Sequence, residues 1–185
     1  LEADGRRTAV AGTIRFKIGE KSERNLYKMT MPGRFFIHKF LRDAVNAGCD
    51  VAVIEMTSQG VLQYRHAFID LDALVFTNLS PEHIESHGSY EKYIAAKLEL
   101  ARGLEKSKKR PRFVVANKDD DHGHLFLAAH VEHSLPYALS DLELHTLNKD
   151  DISLVIDGAT IRVPLIGLFN VYNALAAITC ARAFG

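Results

Sequence analysis

Apolar residues recur at helical spacing between Arg34 and Ala47, and Gly48 follows this stretch directly. Such a pattern predicts an amphipathic helix that ends at the glycine. The predicted apolar face of this helix consists of Phe36, Ile37, Phe40, Leu41 and Val45.

Two short apolar runs follow, Val51 to Ile54 and Ala73 to Phe76, within predicted strands at 50–55 and 72–77, and polar residues come after both. We interpret them as buried strands, the first delivering Glu55 and the second Thr77 and Asn78. In an open parallel α/β sheet, ligands bind in the crevice outside the carboxyl ends of the strands. The pattern therefore predicts a site built around these strand ends.

The remaining pattern completes the predicted elements. They are a hairpin-like entry at 1–28 (with β-branched alternation at 8–18 and a polar turn at 19–24), helices near 59–66 and 90–106 (the second capped by Ser89), a solvated basic turn at 106–112, a strand at 113–116, a helix ending near residue 130, short strands between 134 and 164, and a helix at 170–184. This order indicates an α/β fold with a mostly parallel sheet flanked by helices. A small antiparallel β appendage is expected at about 134–165, where Asp157-Gly158 is a hairpin signal.

Composition excludes several classes of function. The 185 residues contain 23 basic and 23 acidic side chains, so net charge gives no argument for nucleic acid. No apolar run reaches the length of a membrane span, so we expect no membrane partner. Cys49 and Cys180 form no paired motif, which favours a reduced, cytoplasmic protein. Because the chain starts at Leu1 and stops at Gly185 after an apolar helix, we expect a fragment of something longer.

Polar residues after the first apolar run are candidates for chemistry. Glu55 is either a metal ligand or a surface carboxylate at a strand end. Thr57 could simply cap the following helix. Arg65 could bind an anionic substrate or be solvated, and Gln63, two positions away, would not face the same way on a helix.

His83 and His87 are four residues apart and invite a zinc interpretation. Glu85 lies between them in HIESH, which matches neither HExxH nor HxxEH, so zinc hydrolysis is disfavoured. Lys97 lies in an apolar-striped helix, where a snorkelling lysine is the ordinary interpretation.

Later polar clusters have equally ordinary interpretations. The run from Asp119 to His124 looks like a metal cluster but also suits a helix N-terminus, where acidic side chains favour the dipole. Asn170 and Asn173, at the start of the last helix, could be caps.

The order of these motifs along almost the whole chain resembles the central, ATP-binding domain of the Mur ligases. It is most like the branch that makes UDP-N-acetylmuramoyl-tripeptide. The segments that carry the resemblance are VIEMTSQGVLQYR at 53–65, FTNLSPEHIESHG at 76–88, YIAAKLEL at 93–100, VANKDDD at 115–121 and GLFNVYNALAAI at 167–178. The resemblance implies a P-loop NTPase-like fold and an ATP-dependent amide ligase of peptidoglycan precursor synthesis, and hence of cell wall formation.

The resemblance also implies roles for individual residues. Glu55 and His83 would be Mg²⁺ ligands, and Lys97 would be the lysine that family members carbamylate beside that site. Asn173 and Asn170 would lie near the adenine of ATP. The residues expected to contact the UDP-MurNAc-peptide are Thr30, Thr57, Gln63 and Arg65.

The sequence departs from the family pattern in ways that bear on function. Thr30-Met31-Pro32 replaces a Thr-Thr-Pro motif, so one hydroxyl is missing. The glycine-rich phosphate loop is expected just upstream of Leu1, and the domain that binds the incoming amino acid beyond Gly185. We therefore expect the 185 residues alone to be inactive. The alternatives are a folylpolyglutamate- or cyanophycin-synthetase-like ligase and a non-catalytic nucleotide-binding module.

Overall fold

A computed structural model of the chain describes residues 1–80 and 87–185. The chain divides into two compact units. The first contains Leu1–Ile69 and the described part of His83–Leu100, and the second contains the described part of Asp70–Glu82 and Ala101–Gly185. Among the described helices, none is long and apolar enough to cross a membrane.

The first unit is built on a four-stranded sheet. Its strands are β1 (Thr8–Ala11), β2 (Arg15–Ile18), β3 (Lys21–Arg24) and β4 (Val51–Ile54), in the order β3-β2-β1-β4. Strand β1 pairs antiparallel with β2 and parallel with β4. The parallel pairing requires a crossover, and helix α1 (Arg34–Asn46) lies within it.

Helix α1 supplies the core of this unit. Its Phe40 and Ala44 are buried with Ala9 and Ala11 of β1. The predicted helix and its glycine stop are confirmed, and Gly48 adopts a left-handed φ of 73° that L side chains rarely adopt. The prediction was wrong at Val45, which is 64% exposed because it lies beyond the buried stripe.

The expected polar turn at 19–24 is wrong, because Lys21–Arg24 form strand β3. Only Gly19 and Glu20 make the turn, and β3 pairs antiparallel with β2. All four side chains of β3 are exposed, so the strand has no apolar alternation to reveal it. Charged side chains are common on edge strands, where they oppose pairing with other chains.

Two further helices follow or carry candidate site residues. Helix α2 spans only Ser58–Leu62, shorter than the predicted 59–66, because Tyr64 adopts a left-handed φ of 52°. Helix α3 spans Tyr90–Lys106 as predicted, and Ser89 Oγ accepts a hydrogen bond from Lys92 N at 3.2 Å.

The described part of the second unit contains two three-stranded sheets, two complete α-helices and the last turns of α3. The parallel sheet has β5 (Ala73–Phe76), β6 (Phe113–Asn117) and β7 (His133–Tyr137), and the antiparallel sheet has β8 (Leu144–Leu147), β9 (Ile152–Ile156) and β10 (Ala159–Val163). Helix α4 spans Gly123–Leu127, short of residue 130, and α5 spans Leu168–Ala183.

The α/β class with parallel pairing and an antiparallel appendage is confirmed, with two differences. Residues 134–137 belong to β7 and pair in parallel with β6, so the antiparallel sheet begins at Leu144. The runs ending in Glu55 and Thr77 are not fully buried. Val53 of β4 is 51% exposed and Val75 of β5 is 40% exposed, because both strands are edge strands of their sheets in the described chain.

The core of the second unit joins both of its sheets to α5. Val115 of β6, Leu154 of β9 and Leu175 of α5 belong to one buried cluster. A central parallel strand buried on both faces has a continuous apolar sequence, as Val114 to Ala116 does.

The expected solvated turn at 106–112 is wrong at its last residue. Arg112 is buried, and its N, Nε and Nη2 each donate to the Glu132 carboxylate at 2.9 Å. These hydrogen bonds, from the Arg112 side chain and then its backbone, lower the pKa of Glu132 from 4.5 to about 2. The sequence around Arg112 gives no sign of a partner twenty residues away.

This ion pair predicts a pH-dependent stability. Because the folded pKa of Glu132 is depressed, its stabilisation is complete above about pH 4.5 and is lost as the pH falls towards 2. We expect Glu132→Gln to lower the free energy of unfolding near neutral pH and to match the wild type at the acid end, as measured by denaturant unfolding at each pH. Glu20→Gln, in the exposed β2–β3 turn, is the control. A constant difference across this pH range would contradict the assignment.

Candidate functional site

Glu55 lies at the end of β4, where its backbone continues the parallel ladder with β1. Its N–H donates to Ala11 O at 2.8 Å. This pairing puts the Glu55 carboxylate over the turn that follows β1. Thr13 N donates to Oε2 at 2.8 Å, and Thr13 Oγ1 lies 2.9 Å from both carboxylate oxygens. Glu55 itself remains exposed to solvent.

The same threonine reaches the second predicted site residue. Thr13 Oγ1 lies 2.9 Å from Thr30 Oγ1, so one hydroxyl connects Glu55 to Thr30. A buried asparagine holds the segments that carry both threonines. Asn25 Nδ2 donates to Gly12 O at 3.0 Å and to Met29 O at 2.9 Å.

Gln63 and Arg65 meet, contrary to the expectation that they would face different ways. That expectation assumed a helix to residue 66, whereas α2 ends at Leu62 and the left-handed Tyr64 reverses the chain. Arg65 Nη2 therefore donates to Gln63 Oε1, and Arg65 Nη1 donates to Met31 O. The arginine therefore binds the backbone of the residue that follows Thr30.

Met31, which replaces the second threonine of the family motif, has a packing role in the structure. The Met31 side chain is 1% exposed and packs against Gly60 of α2. A Cβ on Gly60 would lie 2.6 Å from Met31 Sδ, so the glycine is needed for this approach. Met31 thus contributes packing from its side chain and a hydrogen-bond acceptor from its backbone.

Thr57 caps α2, as one of its two interpretations predicted. Its Oγ1 accepts a hydrogen bond from Gly60 N at 3.1 Å. The next residue, Ser58, is buried, and its Oγ lies 3.0 Å from His87 Nε2. His87 is 7% exposed, and its buried Nδ1 has no hydrogen-bond partner among the described residues.

Lys97 lies on α3, one helical turn after Tyr93. Its Nζ lies 5.3 Å from the centre of the Tyr93 ring, within the range of a cation–π interaction. The His87 ring also packs against the Tyr93 ring, and the two ring centroids lie 5.2 Å apart. A chain of contacts therefore runs from Ser58 through His87 and Tyr93 to Lys97.

His83, predicted as the second metal ligand, lies outside the described residues, as does Glu85 of the HIESH segment. Among the residues that the structure describes, no three His, Cys, Asp or Glu side chains converge as a metal cluster. The chemistry of Glu55 nevertheless fits Mg²⁺. This ion prefers oxygen ligands and commonly takes only one or two protein carboxylates, with waters and phosphates completing its coordination.

Asn170 and Asn173 lie on the first turns of α5 in the second unit. Asn170 Nδ2 donates to Ile166 O at 2.9 Å, and Asn173 Nδ2 donates to Asn170 Oδ1 at 3.1 Å. Asn173 is exposed. Neither side chain caps α5, whose N-cap is Gly167 and has no side-chain hydrogen bond. The two amides form a polar pair at the beginning of the helix.

Two carboxylates of the acidic run before α4 accept hydrogen bonds from other loops and from α5. Asp119 Oδ2 accepts from Leu139 N at 2.8 Å and from Tyr172 OH at 3.2 Å. Burial, and then the charge of Asp119, raises the pKa of Tyr172. Asp120 accepts from Leu79 N and His122 N, both at 2.9 Å. Hydrogen bonding therefore accounts for both carboxylates.

Sequence reasoning missed Thr13 and Asn25. Thr13 lies 42 positions before Glu55, and no motif connects them. Asn25 is the buried polar residue that bridges two loops, yet in the sequence it resembles an ordinary turn asparagine. The one sequence signal for Thr13 is the Gly12-Thr13 pair directly after an apolar strand, which marks a tight turn at a sheet edge.

Comparison with known proteins identifies the family. The family model described as Mur ligase middle domain matches residues 1–181. The chain is 37% identical to the UDP-N-acetylmuramyl-tripeptide synthetase of Roseiflexus sp. (strain RS-1), with all of this chain and 40% of that protein aligned. The chain thus spans about two fifths of the length of this relative.

Solved structures agree in fold. A UDP-N-acetylmuramoyl-L-alanyl-D-glutamate–2,6-diaminopimelate ligase superposes with a TM-score of 0.77 at 27% identity, over all of this chain and 39% of that one. FolC of E. coli, in complex with DHPP and ADP, gives a TM-score of 0.53 at 17% identity, over all of this chain and 48% of that one, which shows a shared fold alone. This chain belongs to the Mur ligase family, whose middle domain it matches over nearly its whole length.

Proposed function

We propose that the protein carrying this chain is an ATP-dependent ligase that joins an amino acid to a UDP-MurNAc-peptide. One observation carries the proposal. In the first unit, Thr13 connects Glu55 to Thr30, and Arg65 connects Gln63 to the carbonyl of Met31, the residue after Thr30. The family resemblance predicts metal or substrate contacts for Glu55, Thr30, Gln63 and Arg65. The family match and the names of the relatives support the same reaction class.

The chemistry of these side chains suits an anionic peptide substrate. Arg65 donates to Gln63 Oε1 and Met31 O, and both of its terminal nitrogens also contact Met29 Sδ, at 3.8 and 3.9 Å, which together hold the guanidinium plane. A fixed guanidinium recognises a carboxylate through parallel N–H donors. Thr57, at the N-cap of α2, would contact the same substrate.

In the proposed reaction, the substrate carboxylate attacks the γ-phosphate of ATP, giving an acyl phosphate and ADP. The amine of the incoming amino acid then attacks the acyl carbon, and the tetrahedral intermediate expels phosphate. Catalysis of such a transfer is mainly positioning and charge stabilisation. Glu55, with His83 as a second ligand, would hold Mg²⁺, which supplies positive charge beside the transferring phosphoryl group.

Lys97 and the two α5 asparagines complete the proposed assignment. We propose that Lys97 is carbamylated and acts as an anionic group beside the metal site. In the unmodified state the Lys97 ammonium lies 5.3 Å from the centre of the Tyr93 ring, and carbamylation would replace this cation–π contact with an anionic group. Asn170 and Asn173 would lie near the adenine, where exposed amide groups can bind the edge of a base.

Two alternatives predict different substrates. A folylpolyglutamate-synthetase-like ligase would use a folate acceptor, and a nucleotide-binding module would perform no ligation. Gln63 and Arg65 favour the peptidoglycan precursor, because the family resemblance gives both residues as contacts of the nucleotide-peptide. For the proposed ligase we expect a cytoplasmic location, where the soluble nucleotide-sugar substrates are made.

The proposal is tested by phosphate release from the complete gene product. Mg-ATP, UDP-MurNAc-dipeptide and a pool of amino acids are supplied, and each is omitted in turn. We expect phosphate release to require the nucleotide-peptide and one amino acid. Release that depends on a folate acceptor would favour the first alternative. Nucleotide binding without release on any acceptor would favour the second.

Substitution of Arg65 tests its proposed substrate role. Arg65→Lys keeps the charge but loses the fixed pair of donors, so we expect KM for the nucleotide-peptide to rise about tenfold with a smaller change in kcat. Steady-state kinetics measures both constants. Arg42→Lys, an exposed arginine of α1, is the matched control. Equal KM values for both variants would remove Arg65 from the substrate site.

A further inference from the structure

Thr13 is the residue on which the candidate site converges, although no sequence motif singles it out. It contacts Glu55 through both its N–H and its hydroxyl, at 2.8 to 2.9 Å, and the same hydroxyl contacts Thr30 at 2.9 Å. Thr13 is therefore hydrogen-bonded both to Glu55, the proposed metal ligand, and to Thr30, a proposed substrate contact.

The surroundings of Thr13 fix its position. The preceding Gly12 lies against Glu55, and a Cβ there would be 3.1 Å from Oε2, closer than nearly all real contacts. The Gly12 carbonyl is held by the buried Asn25 amide, which also holds Met29 O. The turn carrying Thr13 and the segment carrying Thr30 are thus tied to one buried side chain.

The hydroxyl hydrogens can be assigned from these contacts. An ionised carboxylate only accepts hydrogen bonds, so the single hydrogen of the Thr13 hydroxyl is donated to Glu55. The Thr13–Thr30 contact then requires Thr30 to be the donor. The Thr30 oxygen consequently has acceptor lone pairs, and no hydrogen, left for a ligand.

We propose that Thr13 is a positioning residue that couples the metal site to the substrate site, and that Thr30 selects an N–H donor of the ligand. This inference rests on the proposed ligase function. Thr13 sets the direction of the Glu55 carboxylate and leaves the Thr30 oxygen as an acceptor, one residue before the Met31 carbonyl that holds Arg65. An N-acyl amino acid offers an amide N–H to such an acceptor and a carboxylate to an arginine.

Thr13→Val tests the coupling, because valine keeps the shape and the backbone N–H but removes the hydroxyl. Thr13 is exposed, so we expect the variant to fold. We expect both Mn²⁺ binding in the presence of an ATP analogue, followed by electron paramagnetic resonance, and calorimetric binding of UDP-MurNAc-dipeptide to weaken about tenfold, as for loss of a partner of a metal ligand. Thr13→Ser should restore both. Thr160→Val, an exposed threonine of β10, is the matched control.

A second experiment tests whether Thr30 selects an N–H donor of the ligand. A depsipeptide analogue, with an ester oxygen in place of the amide N–H of the terminal residue, should bind the wild type more weakly than the parent peptide. The discrimination should shrink in Thr30→Val, where no acceptor remains. Equal binding of ester and amide by the wild type would overturn the assignment of Thr30.

The outcomes separate this inference from the proposed function. Wild-type ligation with unchanged Mn²⁺ and peptide affinities in Thr13→Val would overturn the coupling and leave the ligase intact. Absence of ligation by the wild type, with Mn²⁺ binding weakened in Thr13→Val, would overturn the ligase and leave the link between Thr13 and Glu55. A wild type that binds neither Mn²⁺ nor the nucleotide-peptide would overturn both.

Discussion

The parallel pairing of β1 with β4 is the constraint on which the candidate site depends. It brings residues more than forty positions apart into register, and its last hydrogen bond joins Glu55 N to Ala11 O. The turn after β1 therefore meets the carboxylate that follows β4. Without that register, Gly12 and Thr13 would not reach Glu55, and Thr30 would lose its connection to it.

Buried polar side chains hold the loops of the candidate site through hydrogen bonds. The buried Asn25 amide donates to the carbonyls of two loop residues, Gly12 and Met29, as most buried polar groups form hydrogen bonds. Ser58 and His87 connect α2 to the start of α3 in the same way. The loops and helices near the exposed Glu55 carboxylate are thus held by buried amide, hydroxyl and imidazole groups.

Local patterns predicted the elements whose formation depends on local signals. Gly48 ends α1 and Ser89 caps α3 because both act within one helical turn. The pattern failed where the structure depends on distant partners or on backbone conformation alone. Strand β3 has no apolar face, Arg112 is buried by its pairing with Glu132, and the left-handed Tyr64 shortens α2 without any glycine to mark it.

The candidate site divides along the same line. The order of motifs was enough to select Glu55, Thr30, Gln63 and Arg65, and the structure brings these four into one set of contacts. Thr13 and Asn25 could not be selected, because their importance arises from contacts across loops. The meeting of Gln63 with Arg65 was missed for a backbone reason, since helical geometry would have separated them.

The most direct test of this account is the position of the metal. Crystals of the complete protein with an ATP analogue and Mn²⁺ would locate the ion by its anomalous scattering. The account predicts a peak within bonding distance of a Glu55 carboxylate oxygen, with Thr13 still hydrogen-bonded to that carboxylate. A bound nucleotide with its metal peak away from Glu55 would contradict it.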